Sequence, residues 1–259
     1  MRTNFKQLLD AGVHFGHQKR KWNPAMAPYV FMEKNGIHII DLNKSVAKIE
    51  QAASAMKQIA MSGKSILFVA TKKQAKNIVA EKVQRINMPY ITERWPGGLL
   101  TNFDTIRKAV KKMDSIDKMK EDGTIDTLSK RERLQISRTR EKLEKNLGSI
   151  SKMNRIPSAI FVVDIHKEHI AVAEARKLNI PIFAMVDTNS DPNLIEFPIP
   201  ANDDATKSIE CIVEIVTNAV AEGLEEKNKA AEQKAMENAK KLKAKKEKET
   251  KEETTKSEK

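Results

Sequence analysis

Apolar residues recur along this chain at two alternating periods. Short runs predict strands at Gly36–Asp41 (GIHIID), Ser65–Thr71 (SILFVAT), Pro89–Thr92, Ser158–Asp164 (SAIFVVD) and Ile180–Asp187 (IPIFAMVD). The FVA and FVV stretches lack polar alternation, as strands covered on both faces do. A sixth run, Ile195–Ile199, is interrupted by Pro198 and predicts an edge strand or a loop. Between the runs, apolar positions three and four apart predict helices. Val46, Ile49, Ala53, Met56 and Ala60 follow Asn43 as an N-cap, and Ala75, Ile78, Val79, Val83 and Ile86 follow Thr71. Residues 167–178 and 204–224 supply two more. Strands alternating with helices imply an α/β domain with a mostly parallel sheet and helices on both faces. Right-handed crossovers then place the loops after Asp41, Thr71, Asp164 and Asp187 along one edge, where open sheets of this kind bind ligands.

Residues 99–153 break the rhythm. Leu99, Phe103, Ile106, Val110 and Met113 repeat at four and three, a coiled-coil spacing. Glu121-Asp122-Gly123 turns the chain, Ser129 to Glu132 has the form of a capping box, and Ile136, Leu143, Leu147 and Ile150 resume the stripe. The pattern predicts a long antiparallel helical hairpin inserted between two strands. Its polarity outside the seam gives it little reason to pack on its own domain. Four regions follow: an N-terminal arm (1–35), a discontinuous α/β domain (36–98 and 154–224), the hairpin (99–153) and a charged tail (225–259), helical or disordered.

Charge sharpens this division. The 259 residues carry 47 Lys and Arg against 35 Asp and Glu, a net +12 that points to polyanionic partners. Residues 102–156 hold +6 of the excess and the last 35 residues +3, so the rest of the body is close to neutral. The tail, rich in Lys and Glu, has too little apolar surface to offset the entropy of ordering. A solubilising tail is expected there in preference to an RNA-touching arm. One cysteine, Cys211, excludes an internal disulfide and a Cys-rich zinc site. No apolar run approaches the roughly 18 residues of a membrane span, and the N-terminus lacks the apolar core of a signal peptide. A protein of the cytosol, away from membranes, is expected.

Candidate chemistry is sparse. Ser62-Gly63-Lys64-Ser65 ends like a phosphate-binding loop, but Gln58 stands where the first glycine belongs and the motif precedes a strand. His14/His17 and His166/His169 are spaced for a shared metal on a helix, yet no cysteine and no HExxH pattern accompanies them. Capping, packing or RNA contact suits them better, and neither a metal site nor a cofactor is expected. Asp164, Asp187 and Asp191 lie at or after strand ends, with Asp203 and Asp204 near in sequence. Such carboxylates could hold Mg²⁺ in a phosphoryl-transfer or receiver-like domain. No Lys or Ser/Thr is evidently placed to complete that constellation, and turn-shaping and capping explain the same acids.

The arm is more suggestive. Ala11 to Pro24 sets cations, imidazoles and Trp22 among glycines, with Tyr29 and Phe31 following. Cations suit phosphates and aromatic planes suit unpaired bases. Alternatively, Trp22, Tyr29 and Phe31 pack on the sheet while the cations face outward.

The strings LLDAGVHFGHQKRKWNPAMAPYVF, NGIHIIDLNKSVAKI, FVATKKQA, ERWPGGLLTNF, AIFVVDIHKEHIAVAEARKLNIPIFAMVDTNSDP and IPANDDATKSI closely resemble the family of the second protein of the bacterial small ribosomal subunit. The likeness is collinear from about Asn4 to about Gly223; Pro96 stands where the family pattern more often has Leu. The resemblance implies a flavodoxin-like, three-layer fold of five parallel strands with a protruding coiled-coil hairpin. It also implies no enzymatic activity and a structural place in the cytoplasmic ribosome, bridging head and body of the small subunit. Its partners are then 16S-type small-subunit rRNA and neighbouring proteins, including the large mRNA-binding first protein. Carried onto this chain, and combined with charge, the family motifs suggest RNA contacts at His17, Lys19, Arg20, Lys21 and Trp22 in the arm. Lys72, Lys73 and Arg94 are suggested on the domain, and Arg107, Lys108, Lys111, Arg138 and Arg140 on the hairpin.

Overall fold

A computed structural model describes the backbone of residues 3–257; the side chain of residue 126, and those past residue 230 except Gln233, lie outside the described residues. After α1 (Phe5–Asp10), three strands form a small antiparallel sheet: β1 (Phe15–Gln18), β2 (Val30–Lys34) and β3 (Ile37–Ile40), with β3 in the middle. The rest of the chain runs α2 (Leu42–Met61), β4 (Ile66–Val69), α3 (Lys73–Arg85), β5 (Tyr90–Ile91), α4 (Phe103–Glu121), α5 (Lys130–Leu147), β6 (Ala159–Val163), α6 (His169–Lys177), β7 (Ile182–Val186), β8 (Phe197–Pro200) and α7 (Thr206–Ser257). Strands β5-β4-β6-β7-β8, in that order, make a five-stranded parallel sheet. The order places the second strand of the sheet outside the first, as in the flavodoxin-like arrangement.

One expectation about strands is corrected. GIHIID does not join the parallel sheet. Asn35 and Gly36 both adopt positive φ (54° and 74°), the geometry of a two-residue hairpin turn, and fold β3 back on β2. The fifth parallel strand is instead β8, prolines included. Ala201 N donates to Val186 O, so odd-numbered amides face β7 and the N–H-lacking Pro198 and Pro200 face outward on the edge. The cap of α2 also shifts: Asp41, not Asn43, is the N-cap, and its carboxylate accepts from Asn43 N at 3.0 Å.

Strands β4, β6 and β7 are buried throughout, yet residues of the parallel sheet still alternate between two cores. Phe68, Phe161, Phe183 and Ile199 face α2, α3 and α7, with Ile49, Met56, Val79, Ile212 and Val216 opposite them. Leu67, Val69, Ile160, Val162 and Ala184 face α6, through Ala171, Val172 and Ala175, on the other side. Gly223 lets α7 approach α2 closely, since a Cβ there would stand 2.5 Å from Lys57 O. The capping box is present, with Ser129 and Glu132 exchanging bonds. Asp117 pairs with Arg140 and Arg107 with Asn154, so the chain returns antiparallel along α4. The base of this helix pair does pack on its own domain, against expectation: Phe103, Ile106, Val110, Leu143, Leu147, Ile150 and Met153 belong to the second core. α7 continues as helix to Ser257, and what was expected of the tail's side chains falls mostly outside the described residues.

Candidate nucleic-acid interface

The arm is a fastened structure. His17 N donates to Thr188 Oγ1 (2.8 Å), Asn23 N to Thr188 O (2.8 Å), Asn202 N to Val13 O (3.0 Å) and Asn202 Nδ2 to Gly12 O (3.2 Å). Gly16 is required at this seam, because a Cβ would lie 2.6 Å from Thr188 Cγ2. Beyond it, Lys19–Lys21 form a single 3-10 turn whose three residues are all exposed. Lys19 Nζ reaches Glu33 (2.7 Å) and Arg20 Nε reaches Gln18 (3.0 Å). Trp22 is half-buried, one face stacked on His38 at 4.8 Å and 21°, which leaves at most the other face for a base. Tyr29 packs on the second core, whereas Phe31 is 70% exposed and does not pack on the sheet.

His17 and Lys72, expected to face RNA, are instead drawn together into the C-terminal edge of the parallel sheet. Asp164 closes β6 in the left-handed region (φ 70°), which its short side chain tolerates by accepting from His166 N and Lys167 N. Lys72 Nζ then lies 2.9 Å from Asp164, 2.7 Å from Asp203 and 2.8 Å from Asp204. His17 Nδ1 lies 3.0 Å from Asp187 and Nε2 3.3 Å from Asp204. Burial alone would lower the Lys72 pKa, but Asp203, Asp204 and Asp164 outweigh it and raise it. The hydrogen bond to Asp187 raises that of His17. Burial, with Asp187 and Asp164 as like charges, pushes the Asp203 carboxyl up to about 7 despite Lys72. With the Lys72 ammonium enclosed by carboxylates and only 12% of its side chain exposed, it is not available to a phosphate.

The same geometry dismantles the phosphoryl-transfer alternative. Asp191 caps the turn Pro192–Leu194 through Asn193 N and is no part of this cluster. Lys72 and Thr188 do stand beside the acids; Thr188 follows Asp187 directly, whereas sequence offered no signal for Lys72, because Asp203 and Asp204 lie 131 and 132 residues away. Ser62-Gly63-Lys64-Ser65 is a helix-terminating turn, with Gly63 at φ 75° and its N–H on Ala60 O.

The remaining predicted cations separate into distinct places. Lys73 and Arg94 are exposed singly, Arg94 beside the buried Trp95. Arg107, Lys108 and Lys111 line a groove at the base of α4 with Phe103, Asp104, Asn154, Arg155 and Ile156; Arg155 was not singled out from sequence. Arg107 donates to Asn154 Oδ1 at 2.9 Å, while no carboxylate contacts Lys108, Lys111 or Arg155 among the described residues. Arg138 is exposed on α5. Arg140 is held by Asp117 (2.8 Å) and by Glu144, so its charge is answered within the hairpin.

One further side chain escaped sequence reasoning. Glu174, on α6, accepts from Trp95 Nε1 (3.0 Å), Gly98 N (2.7 Å), Leu100 N (3.0 Å), and Thr101 N (3.2 Å) and Oγ1 (3.3 Å), fixing the turn that launches α4.

Known proteins resemble this chain closely. A family model described as ribosomal protein S2 matches residues 8–223. The chain is 69% identical over 226 residues to the small ribosomal subunit protein uS2 of Phocaeicola vulgatus, covering 87% of this chain and 81% of the relative. It is 68% identical over 230 residues to that of Flavobacterium johnsoniae (89% and 91% covered) and 68% over 226 residues to that of Bacteroides thetaiotaomicron (87% and 81%).

Proposed function

The chain belongs to the ribosomal protein S2 family and is a structural constituent of the small ribosomal subunit, and on that premise we propose how its surface is divided among its partners. It binds ribosomal RNA and neighbouring ribosomal proteins in the cytoplasmic ribosome and is not an enzyme. The RNA is 16S-type, and two groups of cations meet it: the arm tip Lys19–Lys21 with the open face of Trp22, and the groove of Arg107, Lys108, Lys111 and Arg155. Lys73, Arg94 and Arg138 add single phosphate contacts at the margins. What supports this division is the contrast in charge pairing: among the described residues the cations of the groove pair with no carboxylate, whereas Lys72 has three such partners and Arg140 two. Two rigid basic surfaces on one body suit a component that joins separate RNA segments. Phe31 and Met32, exposed on the edge strand β2, give a neighbouring protein an apolar strip. The large mRNA-binding first protein is our assignment for it.

The test is reconstitution of small subunits with two variants, Lys19, Arg20 and Lys21 all changed to Glu, and Lys108, Lys111 and Arg155 all changed to Glu. Each should lower incorporation without lowering the thermal midpoint. Each should also flatten the salt dependence of RNA binding, by about 0.7–0.9 in logarithmic slope for every phosphate no longer neutralised. Normal incorporation and slope in the groove variant would remove the groove from the interface.

A further inference from the structure

Resting on the assignment of the α4 groove to RNA, we propose that a cleft at the N-terminal edge of the parallel sheet holds one unstacked nucleotide of the strand that the groove binds. The cleft lies at the opposite edge from the carboxylates, where Ser65, Pro89 and Ser158 lead into β4, β5 and β6. Its volume of about 660 Å³ falls within the roughly 300–1,000 Å³ of small-ligand sites. None of its lining residues is Asp or Glu, although acids supply 35 of the chain's 259 residues. Lys64, Lys152 and Arg155 line it, and among the described residues none of the three pairs with a carboxylate. A Cβ on Gly63 would stand 2.8 Å from Lys227 Nζ, so a fourth cation lies beside the lining. Charge of one sign with no acid to answer it selects an anion. Asn154, Arg155 and Ile156 line both the cleft and the groove, so one strand can occupy the two together.

The lining suits a base as well as a phosphate. Among the described residues the side-chain amides of Gln84 and Asn87 have no hydrogen-bond partner. Asn154 Oδ1 accepts from Arg107 Nη1 at 2.9 Å, which leaves Nδ2 to donate. Amides read the edges of unpaired bases, and a donor suits the keto oxygen of uracil or guanine. Met88, Pro89 and Met153 add apolar surface for the ring. The walls are fixed in advance: Ser149 Oγ donates to Tyr90 O, Ser151 Oγ to Gly148 O (2.8 Å) and Ser158 N to Ser65 O (3.0 Å), so little is left to order on binding. A base inside a duplex cannot enter such a cleft, whereas one extruded from the stack can. Gly63-Lys64-Ser65, which has the residues of a phosphate-binding loop without its geometry, belongs to the same lining.

The probes are two RNA duplexes of equal length, one with a single bulged uridine, titrated with the full-length chain and followed by fluorescence anisotropy. The bulged duplex should bind about tenfold more tightly than the plain one. Gln84→Trp, which fills the cleft from the exposed last turn of α3, should bring that ratio close to one while plain-duplex affinity and the thermal midpoint keep their parental values. Asn87→Gly should lower the ratio by about threefold or more; glycine accepts the left-handed φ of 52° at this position, so the fold is kept. A 4-thiouridine in the bulge, irradiated with long-wave ultraviolet light, should cross-link to residues 84–90 or 148–158. Lys108→Glu with Lys111→Glu, outside the cleft, should weaken both duplexes alike, so the ratio tests the cleft and the absolute affinity tests the groove. Equal affinity of the parent for the two duplexes, a ratio unchanged in both Gln84→Trp and Asn87→Gly, or cross-links confined to other parts of the chain would overturn the nucleotide site and leave the groove reading standing.

Discussion

Replacing Glu174 by Gln should be among the most damaging single-atom changes in the protein. The carboxylate is buried and takes five hydrogen bonds, from Trp95, Gly98, Leu100 and Thr101, 73 to 79 residues away in sequence. Glutamine fills the same space but offers one acceptor oxygen, and its amide turns N–H groups toward either the Trp95/Gly98 pair or the Leu100/Thr101 pair. In each orientation one fully buried donor, Trp95 Nε1 or Leu100 N, is orphaned. An orphaned buried donor costs about 1–3 kcal/mol, and the surviving bonds fall from charge-assisted, about 1.5–3 kcal/mol, to neutral ones near 1. Together these give about 3 kcal/mol, and alanine, which orphans both donors and opens a cavity, about 4–5. For a body of this size 3 kcal/mol corresponds to a midpoint lower by about 6–12 °C.

Acid supplies the second half of the test. Burial alone would raise the Glu174 carboxyl, but the bonds from Trp95, Gly98, Leu100 and Thr101 outweigh it and hold it below the usual range. A depressed carboxyl contributes stability that is complete above the unfolded value, about 4.3, and is lost as pH falls through the folded one. Thermal melts of the parent and Glu174→Gln should therefore differ most near neutral pH and converge on acidification below 4. A difference under about 0.5 kcal/mol at pH 7, or one unchanged at pH 3, would refute the reasoning.

Two other substitutions probe the arm and the sheet edge. Lys72→Met leaves Asp164 and Asp203 without their shared cation; breaking a buried pair costs about 3–5 kcal/mol, read as a lower urea midpoint, and a wild-type midpoint would contradict the pairing. Gly16→Ala drives a methyl into the buried Thr188 and should cost about 1–3 kcal/mol. Limited proteolysis between residues 12 and 40 should quicken while the parallel sheet stays folded; an unchanged cleavage rate would show that the seam tolerates the methyl.

Local pattern determined much of this molecule. The uniformly apolar β4, β6 and β7, the stripes of α2 and α3, and the Ser129–Glu132 capping box are properties of contiguous residues, and periodicity and side-chain chemistry are enough to specify them. The charge division between a near-neutral sheet and a basic hairpin is likewise written in order along the chain. Partnership is not. GIHIID has the same apolar character as a parallel strand, and only the positive-φ turn at Asn35-Gly36 commits it to the arm's own sheet. Lys72 reads as one more exposed cation until the fold brings Asp203 and Asp204, 131 and 132 residues later, onto its ammonium. Glu174 reads as the polar face of a helix until the turn at Trp95–Thr101 closes over it. Periodicity records that a position is buried, but a buried charge is stable only where distant groups converge to answer it, and that convergence belongs to the tertiary structure alone.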